Sequence, residues 1–406
     1  MRTAQETVMR IALVSEHESP LTGPVDNGGH RIAELATALA GLGASVDVYT
    51  RRDNDSVDDE VVTTAGYRVL TLTAGPARRL PASEFLLFTS AFGSGLRDRW
   101  ALERPDIVHA HCWMSGLAGG LAAHEVGVPT VMSFHGSLSG DTGNVSGTGN
   151  GSGSEGGPSA RVILERKILR SAGRIVASCS DEADRLTHRA IARAKIAIVP
   201  SGVDTVHFNP DGPAVERVEP GQRLITGGDL SSGSGVDAIV DIVRRVPKAE
   251  LFVIGGGPDI QRLHRLAVDL GVADRVVFGG AVPGDHLPAV LRSGAIFICT
   301  SPSESAAVAA LEAMACGVPV VARALGSVTD VVVDGVTGRL VDPRNRKALA
   351  KAVENLVHDQ PRRFALGVAG ADRAQSRYSW DRIAENTFRV YDDALSTSKA
   401  RRALVE

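Results

Sequence analysis

The chain has 406 residues, of which 43% are hydrophobic, 22% are charged and 4% are aromatic, and its formal net charge is −3. This length accommodates two α/β domains with separate cores, and the near-neutral charge argues against nucleic acid as a partner. The low aromatic content is typical of helices packed on a sheet.

Four cysteines stand far apart in the sequence, without the paired CxxC spacing of a zinc site. Cys299 lies in an apolar run, so we interpret the cysteines as reduced core thiols and the protein as cytoplasmic. The apolar stretch at residues 11–14 is too short for a signal peptide or a membrane helix. Translation starts at Met1 or at Met9, and the second choice makes the first eight residues an extension.

Apolar runs alternate with segments of helical spacing in the N-terminal half. Residues 9–15 and 46–50 predict two strands, and Gly28 and Gly29 precede a helix predicted over residues 30–42. The two glycines leave backbone N–H groups open to an anion, or they form a simple helix-entry turn. Their spacing is not the G-x-G-x-x-G fingerprint of dinucleotide-binding proteins.

A D-x-D pattern at residues 53–55 has the residue types that hold a divalent metal. Because it opens an acidic run that extends to Glu60, we interpret it as a solvated loop and assign no metal. Residues 85–100 predict an amphipathic helix with few basic residues, which favours packing on the core over membrane association.

Two later strands end in histidine, at His109 and His111 in one and at His135 in the next. The carboxyl ends of parallel strands lie where open α/β sheets bind ligands, although a single histidine is commonly a structural group. Residues 136–160 are rich in Gly, Ser, Thr and Asn and contain no Lys, Arg or aromatic residue, which predicts a flexible loop.

A segment containing proline and glycine, residues 209–213, predicts the boundary between two domains. Strands and helices alternate on both sides of it, which predicts a doubly wound parallel sheet in each. In the second half the predicted strands lie at residues 223–226, 250–254, 275–278, 295–299, 318–321 and 338–341.

The stretch from Ser301 to Ala322 carries the pattern on which the functional interpretation depends. It follows a buried strand, contains a helix without Gly or Pro over residues 306–314, and ends in the next strand. Glu304 and Glu312 can then both face the crevice at the strand ends, where the helix start offers N–H groups to a phosphate. Alternatively, Glu304 caps the helix and Glu312 lies on its solvated face.

This stretch resembles the E-x7-E element and the following E-A-M-A-x-G-x-P-V-V-A sequence of retaining glycosyltransferases of family 4, also called group 1. The H-x-H-x-W pattern at residues 109–113 and the G-V-D-x-x-x-F pattern at residues 202–208 match the same family. The resemblance implies an α/β protein of the GT-B fold, with two Rossmann-like domains facing across a cleft. It also implies a hexosyltransferase that uses a UDP- or GDP-linked sugar, without a metal or another cofactor.

The resemblance implies domain limits and roles for individual residues. The acceptor side would be residues 1–209, joined by a returning helix at residues 379–395, and the nucleotide-sugar side would be residues 210–378. Glu304 and His135 would position the donor sugar near the reacting carbon, and Glu312 would hydrogen-bond the ribose. Further donor-binding positions would be Gly28, Gly29, Gly228, Asp229, Ser234, Ala306, Ala307 and Val308.

The sequence departs from the family where the donor diphosphate is bound. Members read G-R-L-x-x-x-K-G, whereas Asp229 and Ser234 stand here at the Arg and Lys positions with the spacing preserved. Loss of one such electrostatic group typically costs on the order of a hundredfold in rate. The family's Phe-Gly after the first Glu is also replaced, by Ala306 and Ala307.

Two hypotheses from different classes follow. The first is a working retaining glycosyltransferase, and the second is a degenerate one that binds or activates a partner glycosyltransferase. No residue supports a third, a nucleotide-sugar epimerase on the same fold. Relatives often carry basic residues in the loop at residues 136–160, and their absence here predicts an acceptor without phosphate.

Overall fold

The computed structural model describes residues 8–21, 27–135, 160–216 and 221–403. The loop predicted at residues 136–160 lies outside this part except for its last residue. The first seven residues, which concern the choice between Met1 and Met9 as the start, also lie outside it. The chain divides into two compact units, and it passes from the first to the second after Pro200 and back after Ser379. The domain limits of 1–209 and 210–378 remain predictions.

The first unit is a parallel sheet with helices on both faces. Its strands are β1 (Arg10–Val14), β2 (Ser45–Arg51), β3 (Glu60–Val62), β4 (Arg68–Leu72), β5 (Ile107–His111), β6 (Thr130–Ser133), β7 (Arg174–Ala177) and β8 (Ile196–Ile198). Its helices are α1 (Asn27–Gly41), α2 (Ala82–Phe85), α3 (Thr89–Leu102), α4 (Trp113–Val126), α5 (Ala160–Ser171) and α6 (Ser180–His188), with the last helix of the chain, α14 (Trp380–Ala403).

The strand order of the first sheet is β3-β4-β2-β1-β5-β6-β7-β8, and all neighbours are parallel except β3 and β4. From β1 the chain winds toward β2 on one side and toward β5 on the other, so the switch point lies between β1 and β5. Helix α14 packs against α1 through a core shared by Ile32, Leu39 and Ile383. Tyr391 also ties α14 to β5, with its hydroxyl 2.8 Å from His109 Nδ1.

The second unit repeats the architecture. Its strands are β9 (Gln222–Gly227), β10 (Ala249–Ile254), β11 (Val276–Gly280), β12 (Ile296–Cys299), β13 (Val320–Arg323) and β14 (Gly338–Val341). Its helices are α7 (Val236–Arg245), α8 (Ile260–Asp269), α9 (Leu287–Arg292), α10 (Glu304–Ala315), α11 (Val328–Val331), α12 (Arg346–His358) and α13 (Gln360–Tyr378).

The second sheet is wholly parallel, in the order β11-β10-β9-β12-β13-β14, so its switch point lies between β9 and β12. Strand β12 has four buried residues in succession, which is why it reads as one apolar run in the sequence. The loops that leave β9 and β12 lead into α7 and α10. The loop after β9 and helix α10 together carry most of the predicted donor-binding residues.

The structure differs from the predicted elements mainly in the first unit. Helix α1 begins at Asn27, so Gly28 and Gly29 lie in its first turn rather than ahead of it. Strands β3 and β4 were not predicted, because β3 is short, exposed at two of its three positions and acidic at its start. The predicted helix at residues 85–100 is divided between α2, a short 3-10 turn and α3. Its buried side chains, Phe92 and Leu96 among them, face the core.

Candidate functional site

Helix α10 places two carboxylates at the switch point of the second sheet. Ser303 caps the helix, with its side chain accepting a hydrogen bond from the Ala306 N–H at 3.2 Å. Glu304 is the first helical residue, and its Oε1 accepts a hydrogen bond from Ser201 Oγ at 2.8 Å. The alternative that Glu304 caps the helix is therefore wrong, because Ser303 already has that role.

Glu312 lies eight residues further along α10, and the two carboxylates are separated by roughly 80° around the helix axis. Its side chain is only partly exposed. Burial raises the pKa of Glu312 to about 7. Within the described part of the chain, no side chain hydrogen-bonds this carboxylate. The alternative of a fully solvated face is therefore wrong, and Glu312 is a carboxylate held without a partner in a partly closed site.

The raised pKa of Glu312 predicts an effect of pH on stability. The folded protein retains a proton between about pH 4.5 and about pH 7 that the unfolded chain releases, so stability falls as the pH rises through that window. The total change is up to about 3 kcal/mol, and Glu312→Gln should abolish this contribution. Urea unfolding across the window measures it, with Glu354→Gln on α12 as the control. Equal pH dependence in wild type and Glu312→Gln would contradict the assignment.

The loop from Gly228 to Gly235 joins β9 to α7 at the same switch point. Gly228 and Gly235 have φ angles of 129° and 79°, which favour glycine, and Asp229 between them is exposed. The carbonyl oxygen of Ser234 accepts a hydrogen bond from Thr300 Oγ1 at 2.7 Å. This bond ties the loop after β9 to the loop after β12, so both helix starts share one crevice.

Ala306 and Ala307 lie in the first turn of α10, which begins at Glu304, and Val308 follows that turn. Ala306 and Ala307 are buried, whereas Val308 is partly exposed. Ser303 accepts hydrogen bonds from two N–H groups of this turn: its side chain accepts from Ala306 at 3.2 Å, and its carbonyl oxygen accepts from Ala307 at 3.3 Å. This turn also lies at the positive end of the helix dipole.

The predicted residues of the first unit lie at the carboxyl end of its sheet and at the start of α1. A Cβ on Gly29 would lie 2.7 Å from the carbonyl oxygen of Ser19, so only glycine permits this approach. His135 follows β6 with a φ of 44°, and its Nε2 lies 2.9 Å from His111 Nδ1. The two imidazole rings stack with centroids 5.1 Å apart.

His109 and His111 are buried beneath His135. Burial lowers the pKa of His109 to about 3, with His135 as a second cause, and it lowers the pKa of His111 well below the ordinary value. His109 is held between Tyr391 and Ser133, with both distances 2.8 Å. These two imidazoles are neutral and held in place, and the ring of His135 stacks on that of His111.

The chain matches two known family profiles, one in each half. The family profile described as "Glycosyl transferases group 1" matches residues 218–373, and that described as "Glycosyl transferase 4-like domain" matches residues 28–202. A protein of Acidothermus cellulolyticus named "D-inositol 3-phosphate glycosyltransferase" is 33% identical over 96% of this chain and 91% of its own length. This chain belongs to the group 1 glycosyl transferases.

Several solved structures share the fold of this chain. Sucrose-phosphate synthase from Thermosynechococcus elongatus has a TM-score of 0.80 at 24% identity, over 96% of this chain and all of its own. HepE of Anabaena, solved with UDP-glucose, has a TM-score of 0.70 at 16% identity, over 96% of this chain and all of its own. The predicted GT-B fold is confirmed. No described helix combines the length and apolar character that crossing a bilayer requires.

Within this group 1 glycosyl transferase, the structure points to a cation that sequence reasoning missed. Arg323 ends β13, and its Nη1 lies 3.0 Å from the position that a Cβ on Gly235 would occupy. The guanidinium therefore reaches the loop that contains Ser234 from β13, which is separated from β9 by β12. A single charged residue at the end of the apolar run Val320–Ala322 was the signal that could have identified it.

Ser201 is a second residue that the sequence did not single out. Its hydroxyl donates to Glu304 from 103 positions away in the chain. In the second unit the structure thus brings Ser201 to Glu304, and it brings Arg323 to the loop at Gly235. His135, Gly28 and Gly29 belong to the first unit.

Proposed function

We propose that this protein transfers a sugar from a nucleotide sugar to an acceptor, with retention of anomeric configuration and without a metal ion. The observation that carries the proposal is the placement of Glu304 and Glu312 on α10 at the switch point of the second sheet. Open α/β sheets bind nucleotides at such points. Glu312 accepts hydrogen bonds from the ribose, and Glu304 positions the sugar, within the second unit. His135 is the candidate for sugar binding in the first unit.

The donor is a nucleoside diphosphate sugar, with UDP as the first candidate. The titles of the HepE structures name UDP and UDP-glucose, which supports this choice. The unpartnered carboxylate of Glu312 suits a ribose diol, because each hydroxyl can donate to a charged oxygen. GDP-linked sugars remain the alternative donor.

The diphosphate is held by the starts of α7 and α10 together with Arg323. Two helix N-termini contribute N–H groups and positive dipole ends. Arg323 provides the charge that the Asp229 and Ser234 positions lack, and a guanidinium matches phosphate oxygens in a bidentate manner. A cation supplied by the protein removes the need for a metal at the leaving group.

The acceptor is a neutral polyol or sugar. The name of the Acidothermus relative gives D-inositol 3-phosphate as that protein's substrate, but this chain has no Lys or Arg at residues 136–160. Transfer to myo-inositol should therefore exceed transfer to its 3-phosphate. The four free cysteines support a reducing, cytoplasmic location.

A second candidate is a degenerate glycosyltransferase that binds or activates a partner glycosyltransferase. The exposed Asp229 favours it, because a carboxylate in the diphosphate loop repels the donor. In this case Glu304 and Glu312 are remnants of a donor site, and the crevice serves only the fold.

Calorimetric titration with UDP, GDP, ADP and their sugars tests the proposal. We expect one series to bind, and Glu312→Ala to weaken that binding by about 1.5 to 3 kcal/mol, because a charge-assisted ribose contact is lost. Glu354→Ala on α12 is the matched control and should bind as wild type does. Absence of binding by every nucleotide would overturn the proposal in favour of the partner function.

A further inference from the structure

A cluster of metal-ligating side chains lies at the switch point of the first sheet, apart from the residues proposed above for transfer. Glu16, His17 and Glu18 follow β1, and Cys112 follows the neighbouring strand β5. His17, Glu18 and Cys112 each offer one ligand atom, and the three atoms all lie within 4.8 Å of one another. His17 Nε2 and Glu18 Oε1 are 3.7 Å apart.

Glu16 orients the imidazole of this cluster. Its side chain is fully buried, and its Oε1 lies 2.8 Å from His17 Nδ1. The backbone N–H of Glu16 donates to Ser115 Oγ at 3.1 Å, which fixes the residue on α4. A carboxylate on Nδ1 leaves Nε2 as the coordinating nitrogen, which is the arrangement that supports histidine ligands in metalloproteins.

One carboxylate oxygen of the cluster and one of the adjacent Glu16 are buried without a hydrogen bond. Glu18 Oε2 and Glu16 Oε2 have no hydrogen-bond partner among the residues that the structure describes. A buried, unsatisfied oxygen of a charged group is costly, so a native protein normally supplies a partner. A cation beside Glu18 would satisfy this requirement for the oxygen that belongs to the cluster.

We propose that His17, Glu18 and Cys112 bind a zinc ion. Nitrogen, carboxylate oxygen and thiolate sulfur together match the ligand preference of Zn²⁺, whereas Mg²⁺ and Ca²⁺ prefer oxygen alone. Binding replaces the thiol proton of Cys112, which passes to solvent. Three protein ligands leave a fourth tetrahedral position for water.

Access to the site is through a neighbouring cavity of about 170 Å³, which Glu16 and His17 line. His17 is itself 41% exposed at its side chain, so an ion can reach its ring from solvent. The site lies within the first unit. The metal takes no step in sugar transfer, so the site is independent of the proposed function.

Cobalt substitution of the full-length, untagged protein tests the site. After removal of metals with a chelator, Co²⁺ should produce the ultraviolet thiolate-to-cobalt absorption band and the visible bands of a tetrahedral ion, and Zn²⁺ should displace it. Cys112→Ser should lose the thiolate band, and His17→Asn should lose tight binding. Glu16→Gln should keep the band and weaken zinc binding by about 10- to 100-fold, because the supporting carboxylate is altered.

Cys316→Ser is the matched control, since it removes a buried thiol from the second unit. It should leave the cobalt spectrum unchanged, and circular dichroism should show that every variant is folded. A folded wild type without the thiolate band, or a band that survives in Cys112→Ser, would overturn the proposal. The cluster would then be an ion pair of protonated His17 with Glu16 and Glu18.

Discussion

Asp229→Arg combined with Ser234→Lys is expected to tighten binding of a nucleoside diphosphate by about 10- to 100-fold. The spacing from Gly228 to Gly235 matches that of the family, and the loop is fixed by its three positive-φ glycines and by Thr300. Each new charge-assisted contact contributes about 1.5 to 3 kcal/mol before desolvation and side-chain ordering are subtracted. Removal of Asp229 also deletes a repulsion.

Isothermal titration with UDP, GDP and ADP, followed by an assay of nucleotide release, measures the effect. Asp269→Arg with Gln261→Lys makes the same change of charge on exposed positions of α8 and should not alter affinity. A gain in binding and turnover from an inactive wild type would identify a degenerate transferase. A folded double variant that binds no nucleotide would contradict the donor-site assignment itself.

Arg323→Ala is the complementary arm of this experiment. If wild type already turns over a nucleotide sugar and the double variant gains nothing, other groups hold the diphosphate. Arg323 is then the proposed group, because its guanidinium lies beside Gly235. Arg323→Ala should weaken binding of the diphosphate and leave binding of the nucleoside unchanged. Arg339→Ala on β14, where the side chain pairs with Asp334, provides the control.

Glu304→Gln is expected to lower kcat by about 100-fold with little change in KM for the donor, because misplacement of a reacting group costs about this much. Gln retains an oxygen for the hydrogen bond from Ser201, so the fold should persist. Steady-state kinetics with the donor identified by titration measures the effect.

Ser303→Ala separates this effect from a general loss of helix order. It removes the N-cap of α10 and leaves Glu304 in place, so stability should fall by about 1 kcal/mol. We expect kcat of Ser303→Ala to remain much closer to wild type than that of Glu304→Gln. An unchanged kcat in Glu304→Gln would show that Glu304 only supports the start of the helix.

The sequence by itself determined the architecture and the main carboxylate pair. Buried parallel strands such as β12 are continuous apolar runs, and the intervening helices keep their own period, so both sheets could be predicted from local pattern. The E-x7-E spacing likewise lies within one strand-to-helix junction, so Glu304 and Glu312 could be predicted to share that element.

Local pattern was insufficient where an edge or a helix end decides the conformation. Strand β3 pairs antiparallel with β4 at the edge of the sheet, and its exposed acidic start resembles a loop. Ser303 rather than Glu304 caps α10, because its side chain accepts the bond from Ala306. Such outcomes depend on hydrogen-bond geometry that residue type alone does not specify.

Only the tertiary structure decided which distant residues meet. Ser201 contacts Glu304, and Arg323 approaches Gly235. Cys112 lies beside His17 and Glu18. The residues that meet are 88 to 103 positions apart in the chain. Parallel sheets connect neighbouring strands by long crossovers, so side chains at their carboxyl ends converge from remote parts of the chain. Which distant residues meet is therefore set by strand order and by the course of the connections, which local sequence does not encode.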